Sequence, residues 1–447
     1  MKLTNISIFF SFILLITSSC RSKKEIYQES NVHSDTSSKE IEDSTYRQKI
    51  YYTNKTAKPN IKTVLCHQEK EDNSLAIINL DSDDKLLVSF DDLNSGIKDY
   101  YYTIIHCNAD WTASNLMKNE YIKGFTEELI TDYEFSFNTI QKYTHYYFKF
   151  PSNNIKPTIS GNYIIKVYEE DGTIILYKRF MVIEKKLHIE ANVRRATLAA
   201  DRKSKHEIDF TIKHPSFIIN HPFSDLKVHI KQNNREDNTI TDLTPQYVRN
   251  DELIYDYEDD NTFFGNNEYR HFDFKSLRYH SERIEDITYD STYNHVYLFE
   301  DKKRSFDRYS IDLDINGKFL IRSQEGREPS IEADYAFIHF TLPTEKINSG
   351  DVYLLGKFCD WEIKDDFRLK YNSIKQQYET AIYLKQGYYN YLYGVSNSYK
   401  QNIDVSLIEG THYQTRNDYY IYVYYRSASD RYDRLIGFLK TSSKELF

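Results

Sequence analysis

Methionine, proline and glycine are scarce: 3, 8 and 13 of 447 residues. The glycines do not cluster, which excludes a Gly-rich loop cradling phosphates. None of the 14 histidines stands in an H-E-x-x-H frame, and no serine stands in a G-x-S-x-G frame. The four cysteines show no C-x-x-C spacing, so neither a metal centre nor a cofactor is expected. Cationic blocks are also missing. Lys plus Arg number 58 against 67 Asp plus Glu, a formal charge of −9. Nucleic-acid binding, which needs clustered cations to displace counterions, is therefore not expected. No apolar run reaches the roughly 20 residues of a membrane-spanning helix.

What is abundant is aromatic: 41 Tyr and 26 Phe, a bias that suits strands. Hydrophobic residues at 40% and charged residues at 28% support a buried core rather than wholesale disorder. The chain length allows about three domains.

The N-terminus reads as an address. Lys2 precedes the apolar run Ile6 to Ile16, then Thr17, Ser18, Ser19 and Cys20 follow. This is the layout of a secretory signal. Cys20 after two serines resembles a bacterial lipobox, with Thr17 where leucine is usual. Lipidation of Cys20 and ordinary cleavage with an incidental cysteine are the two readings. Residues 21–60, rich in Ser, Lys, Glu and Thr, bury too little apolar area to offset ordering entropy and read as a flexible tether. An oxidising compartment allows one disulfide among Cys66, Cys107 and Cys359; small buried apolar roles are the alternative.

From residue 61 the pattern is strand and turn. Lys85 to Phe90, Tyr100 to Cys107 and Thr144 to Phe150 are expected strands. Asn162 to Tyr168 and Thr173 to Ile183 flank Asp171-Gly172 as a hairpin. The expected architecture is all-β, tandem immunoglobulin-like sandwiches after the signal peptide and tether. Its blocks are an N-terminal sandwich at 61–184, a middle β domain at 185–326 and a C-terminal sandwich at 327–447. In the middle block, Arg308 to Ile315 and Lys318 to Arg322 flank Asn316-Gly317 as a second hairpin. Asp312, Asp314 and Asn316 imitate the opening of a calcium loop, but its twelfth position is Ser323 rather than Glu, so calcium is rejected. The acidic run Glu258 to Asp260 reads as a solvated loop. A glycosidase-like carboxylate pair has no visible location.

Val352 to Trp361, followed by Gly387-Tyr388-Tyr389-Asn390-Tyr391, resembles early-set immunoglobulin-like domains of starch-active enzymes. Trp361, Tyr389 and Tyr391 are then either sugar-stacking faces or core residues.

An ordered set of motifs is more specific. It comprises His106-Cys107-Asn108-Ala109-Asp110-Trp111, Ser160-Gly161-Asn162-Tyr163, Gln232-Asn233-Asn234-Arg235, Asn267 to Asp273, Asp314 to Gly317, Ala333-Asp334-Tyr335, Leu384 to Tyr391, Thr415 to Tyr419, and Tyr424-Tyr425-Arg426 with Asp430 to Gly437. Together these resemble the plug protein family of the bacterial type IX secretion system. The resemblance implies a non-enzymatic immunoglobulin-like protein in the periplasm, bound to the translocon β-barrel and closing it when no substrate is engaged. Attachment to the outer membrane would run through a lipid on Cys20. Arg270, Asp273, Arg426, Arg431, Asp433 and Arg434 are either contacts to the barrel or pairs that fix strand ends. The rival reading is a carbohydrate-binding lipoprotein of an outer-membrane glycan-uptake system.

Overall fold

Alternation of apolar and polar residues places successive side chains on opposite faces of a strand, and the computed structural model turns that pattern into sheets over its described residues, 52–396 and 403–443. The expected signal peptide, Cys20 and residues 21–51 of the expected tether lie outside them. The tether ends earlier than its composition implies. Lys55–Thr56 pairs with Ile174–Ile183, and the Tyr52 amide donates to the Trp111 carbonyl at 3.0 Å. An edge strand is held by backbone hydrogen bonds, which polar side chains do not betray.

The first sandwich begins with Lys55–Thr56, ahead of the expected residue 61. One sheet carries Tyr100–Cys107, Gly161–Glu169 and Ile174–Ile183; the other carries Ile61–Gln68, Leu86–Asp92 and Thr144–Phe150. The Asp171-Gly172 hairpin forms as expected, with Ile165 opposite Lys178. Leu86, Val88 and Phe90 meet Tyr102, Ile104, Ile165 and Phe180 between the sheets.

The remaining residues do not divide at 326/327. The second sandwich pairs His188–Arg195, Lys205–Lys213 and Glu252–Tyr255 in one sheet. Its other sheet joins Leu226–Gln232 to Asp418–Tyr425 and Arg434–Ser442, from the far end of the chain. The third sandwich is built from strands between Arg270 and Asp404, and its Arg270–Asp273 and Phe319–Ile321 strands flank Gly387–Ser396. It is an insertion into the second. Its two ends are tied together: the His412 amide donates to the Asn266 carbonyl at 2.8 Å and Asn267 Nδ2 to the Glu409 carbonyl at 2.8 Å. Gly265 is required there, because a Cβ would stand 2.0 Å from the His412 carbonyl oxygen. Adjacent ends allow one domain to sit inside another without strain.

The second hairpin is corrected. Asn316 and Gly317 do turn, with φ of +53° and +76°, but Phe319–Ile321 pairs with Gly387–Ser396 rather than with residues 308–315. The amides around that turn bond side chains instead of a strand: Ile315 N donates to Asn390 Oδ1 at 2.7 Å and Asn316 N to Asp314 Oδ1 at 2.9 Å.

One strand explains how the sandwiches stack. Every residue of Asp418–Tyr425 is buried. Tyr419, Ile421, Val423 and Tyr425 face the second core, whereas Tyr420, Tyr422 and Tyr424 face Trp111, Ile164 and Met181 of the first sandwich. A strand covered on both faces reads as a continuous apolar run, with tyrosine chosen where a hydroxyl finds a partner. The Tyr424 hydroxyl donates to Asn162 Oδ1 at 2.9 Å.

Candidate functional site at the seams between sandwiches

Most of the ordered motif residues meet where sandwiches touch. Between the first and second, the Asp433 carboxylate is fully buried, accepting the Ala109 amide at 2.9 Å and Lys227 Nζ at 2.9 Å. Asn162 Nδ2 donates to the carbonyls of Asn108 and Ala109 at 3.1 and 3.2 Å. Between the second and third, Asn233 Nδ2 donates to Asn417 Oδ1 at 2.7 Å and to the Tyr269 hydroxyl at 3.1 Å.

The seam between the first and third sandwiches is ionic. Asp91, 0% exposed, accepts Lys385 Nζ at 2.6 Å, the Tyr335 hydroxyl at 2.7 Å and His145 Nδ1 at 2.6 Å. Burial works against the Asp91 charge, yet Lys385 and His145 hold it below the usual carboxylate range. Nearby, Asp334 accepts the amides of Ile140 and Gln141 at 2.6 and 3.0 Å. A second clamp forms on Asp360, which accepts Lys178 Nζ at 2.9 Å and Asn54 Nδ2 at 3.1 Å. Burial opposes that charge too, but Lys178, Lys357 and Lys364 bring its pKa down to about 2.

A cavity of about 100 Å³ opens beside this clamp, lined from all three sandwiches. Both tryptophans border it. The Arg179 guanidinium lies 4.2 Å above the Trp111 ring and that of Arg235 lies 5.2 Å from Trp361. Gly317 packs against Trp361 so tightly that a Cβ would stand 2.3 Å from the ring.

The six charged residues singled out in the sequence are mostly internal. Arg270, part-buried, donates to Glu409 at 3.1 Å and Asp301 at 3.0 Å. Asp433 serves the seam just described. Asp273 pairs with its neighbour Lys275 at 2.7 Å. Arg434 bonds Glu184 at 2.8 Å, and Arg426 donates to the carbonyls of Asp430 and Arg431 at 3.3 and 3.2 Å. Arg431 is exposed, in an ion pair with Glu120.

The sugar-stacking reading is overturned. Trp361, Tyr389 and Tyr391 are 4, 2 and 0% exposed, and the Tyr391 hydroxyl donates to Asp301 at 2.7 Å. A ring with both faces covered offers nothing to a sugar. Among the described residues Cys66, Cys107 and Cys359 are free rather than paired, and burial pushes the thiols of Cys66 and Cys107 to about 12 and Cys359 to about 11, which keeps them protonated at neutral pH. Burial brings His106 and His206 down to about 4; both bond backbone carbonyls, of Ser160 and Tyr413.

Sequence reasoning named none of Asp91, Lys178, Asp360 and Lys385 as a site residue, although Asp360 and Lys385 lie within motifs it picked out. Their signal was a charge inside or next to an apolar strand, such as Lys178 within Ile174–Ile183, where an unpaired ion is prohibitively costly.

Residues 61–184, the first sandwich, match the family described as "Type 9 secretion system plug protein 1st domain". The chain is also similar to the crystal structure of a hypothetical protein from Parabacteroides merdae ATCC 43184. The identity is 36%, the alignment covers 88% of this chain and 100% of that one, and the TM-score is 0.86. No curated protein matches.

Proposed function

This chain belongs to the type 9 secretion system plug family, and from that premise we propose that it binds the periplasmic side of the translocon β-barrel and closes its pore when no substrate is engaged. The family is not a known enzyme family. The observation that carries the reading is the family match over the first sandwich. The seams support it. A stopper must resist deformation, and buried ion pairs such as Asp91–Lys385 and Lys178–Asp360 join the first sandwich to the third. Breaking either leaves an uncompensated charge, so the joint is stiff.

The first sandwich also exposes the apolar side chains an interface uses, among them Met117, Phe125 and Phe137 at 72, 66 and 62%. Arg431 is the one residue of the six from the sequence that combines exposure with a pair that costs little to break. Localisation is part of the proposal: a periplasmic protein held at the inner leaflet of the outer membrane by a lipid on Cys20. Residues 21–51 would act as a tether that raises its effective concentration at the barrel.

Affinity purification of the tagged protein from detergent-solubilised outer membranes tests this. A very large β-barrel recovered in near-equal amount is the expected result. Glycan-uptake components, or no partner, would overturn it. Metabolic labelling with a fatty acid, lost in Cys20→Ala, tests the anchor separately.

A further inference from the structure

The cavity at the three-sandwich seam holds charge that its neighbours do not use. Two cavities adjoin there, of about 100 and 230 Å³, and both are lined by Lys318, Asn73, Ser74 and Leu75. The carboxylates on their walls are largely committed. Asp360 takes Lys178 and Asn54, Glu236 takes Lys231 at 2.5 Å, and Asp72 takes Arg322 at 3.2 Å. Arg179 is committed as well, to the Tyr52 carbonyl at 2.8 Å and to the Trp111 face.

Two ammonium groups remain. Lys318 has no ion-pair partner within 4 Å among the described residues, and Lys357 reaches only Asp360, at 3.6 Å, a carboxylate already held by Lys178. Both residues line the same cavity, and the backbone holds their segments together, since the Lys357 amide donates to the Gly317 carbonyl at 2.8 Å. Burial and the charges of Lys440 and Lys357 depress the Lys318 pKa, while the Asp418 and Glu71 carboxylates act in the opposite direction without closing an ion pair. These groups are cations on an otherwise acidic chain of formal charge −9. The adjacent walls are apolar: Val64, Leu75, Met181, Phe319 and Trp361.

We propose that this seam cavity binds a carboxylate-bearing ligand, its carboxylate between the Lys318 and Lys357 ammonium groups and its carbon stem along Leu75, Phe319 and Trp361. Two point-charge donors suit a singly charged carboxylate with two oxygens. Lysines can also hold a phosphate as point charges, but the apolar walls beside them suit a carbon stem, and Arg179, whose planar fork would favour phosphate, is occupied. The carboxylate comes either from a free small acid or from an acidic side chain of a peptide. The ligand would bridge the first and third sandwiches and stabilise their packed arrangement by mass action.

The test uses the purified full chain and tryptophan fluorescence, because Trp111 and Trp361 both line the cavity. The probes are glutarate, an acetylated tri-glutamate peptide amide, and inorganic phosphate. Saturable binding of glutarate or of the peptide, weakened about tenfold or more in Lys318→Met, is the expected result. A clear preference for the peptide assigns the carboxylate to a protein segment; equal or weaker peptide binding assigns it to a small acid. No saturable response to either probe, affinity unchanged in Lys318→Met, or phosphate binding as tightly as glutarate would each overturn the proposal. Because Lys318 has no ion-pair partner to lose, its variant keeps the thermal midpoint of the parent. Lys357→Met should weaken binding in the same direction.

Discussion

Asp91 and Lys385 stand 294 positions apart in the chain and meet at 2.6 Å, both side chains almost wholly buried. The pair joins the Leu86–Asp92 strand of the first sandwich to the Gln377–Lys385 strand of the third. Tyr335 and His145 fill the remaining acceptor positions on Asp91, and the Lys385 ammonium also lies 4.2 Å from the Tyr143 ring.

Removing both partners should therefore cost less than the two single removals added together. Asp91→Asn and Lys385→Met should each lose about 3–5 kcal/mol of unfolding free energy, because each strands a buried polar group. The double variant should lose clearly less than the sum. Denaturant unfolding of all four proteins measures the coupling, and strict additivity would refute it.

Arg431→Glu separates docking from folding. Arg431 and Glu120 are both at the surface, 58 and 34% exposed at the side chain, so the variant should stay within about 1 kcal/mol of the parent. If Arg431 contacts the barrel, recovery of the barrel in the affinity purification should drop while the thermal midpoint holds. Loss of folding instead would return Arg431 to a structural role.

Glu268 gives a pH signature. It is 1% exposed, accepts the Tyr309 hydroxyl at 2.6 Å, and burial together with Asp314 raises its pKa from 4.5 to about 7. A raised folded pKa means that the native state holds the proton more tightly than the unfolded chain. The stability contribution is complete below pH 4.5 and is lost as pH climbs through 7. Glu268→Gln removes this titration. The stability of the variant relative to the parent should rise between pH 5 and pH 8 by up to about 3 kcal/mol. A pH-independent difference would show that Glu268 does not titrate in this range.

Gly317 tests the packing at Trp361. With φ at +76° and a Cβ falling 2.3 Å from the indole ring, Gly317→Ala combines backbone strain with overpacking. It should destabilise by about 2 kcal/mol or more. Gly172, also at positive φ but with nothing within 4 Å of its Cβ position, is the control: Gly172→Ala carries only the backbone part, so its loss should be smaller.

Much of this protein was legible residue by residue. Alternation is a local property, so Tyr100–Cys107 and Thr144–Phe150 stand out from their own composition, and so do the all-β class and the Asp171-Gly172 hairpin. The ordered motifs pointed to the plug family without any coordinates. Their asparagines and aspartates marked the seams, although the sequence did not say what they would bond.

Pairing is not local, and there the tertiary structure decided. Asp418–Tyr425 reads as a strand of a C-terminal block, yet its partner is Leu226–Gln232, because closing the second sandwich leaves an open edge that only the returning chain can cover. The third sandwich thereby became an insertion. Burial followed the same logic: Trp361 and Tyr391 have the chemistry of sugar platforms until neighbouring strands cover them, and Arg270 that of a contact residue until Asp301 and Glu409 engage it. The sequence by itself determined most of the strands, though not the one expected at 308–315, and with them the class and the family resemblance. Tertiary structure alone decided which strands share a sheet, which charges meet across the seams, and which lysines were left with charge to spare. Those outcomes depend on residues hundreds of positions apart arriving in one place.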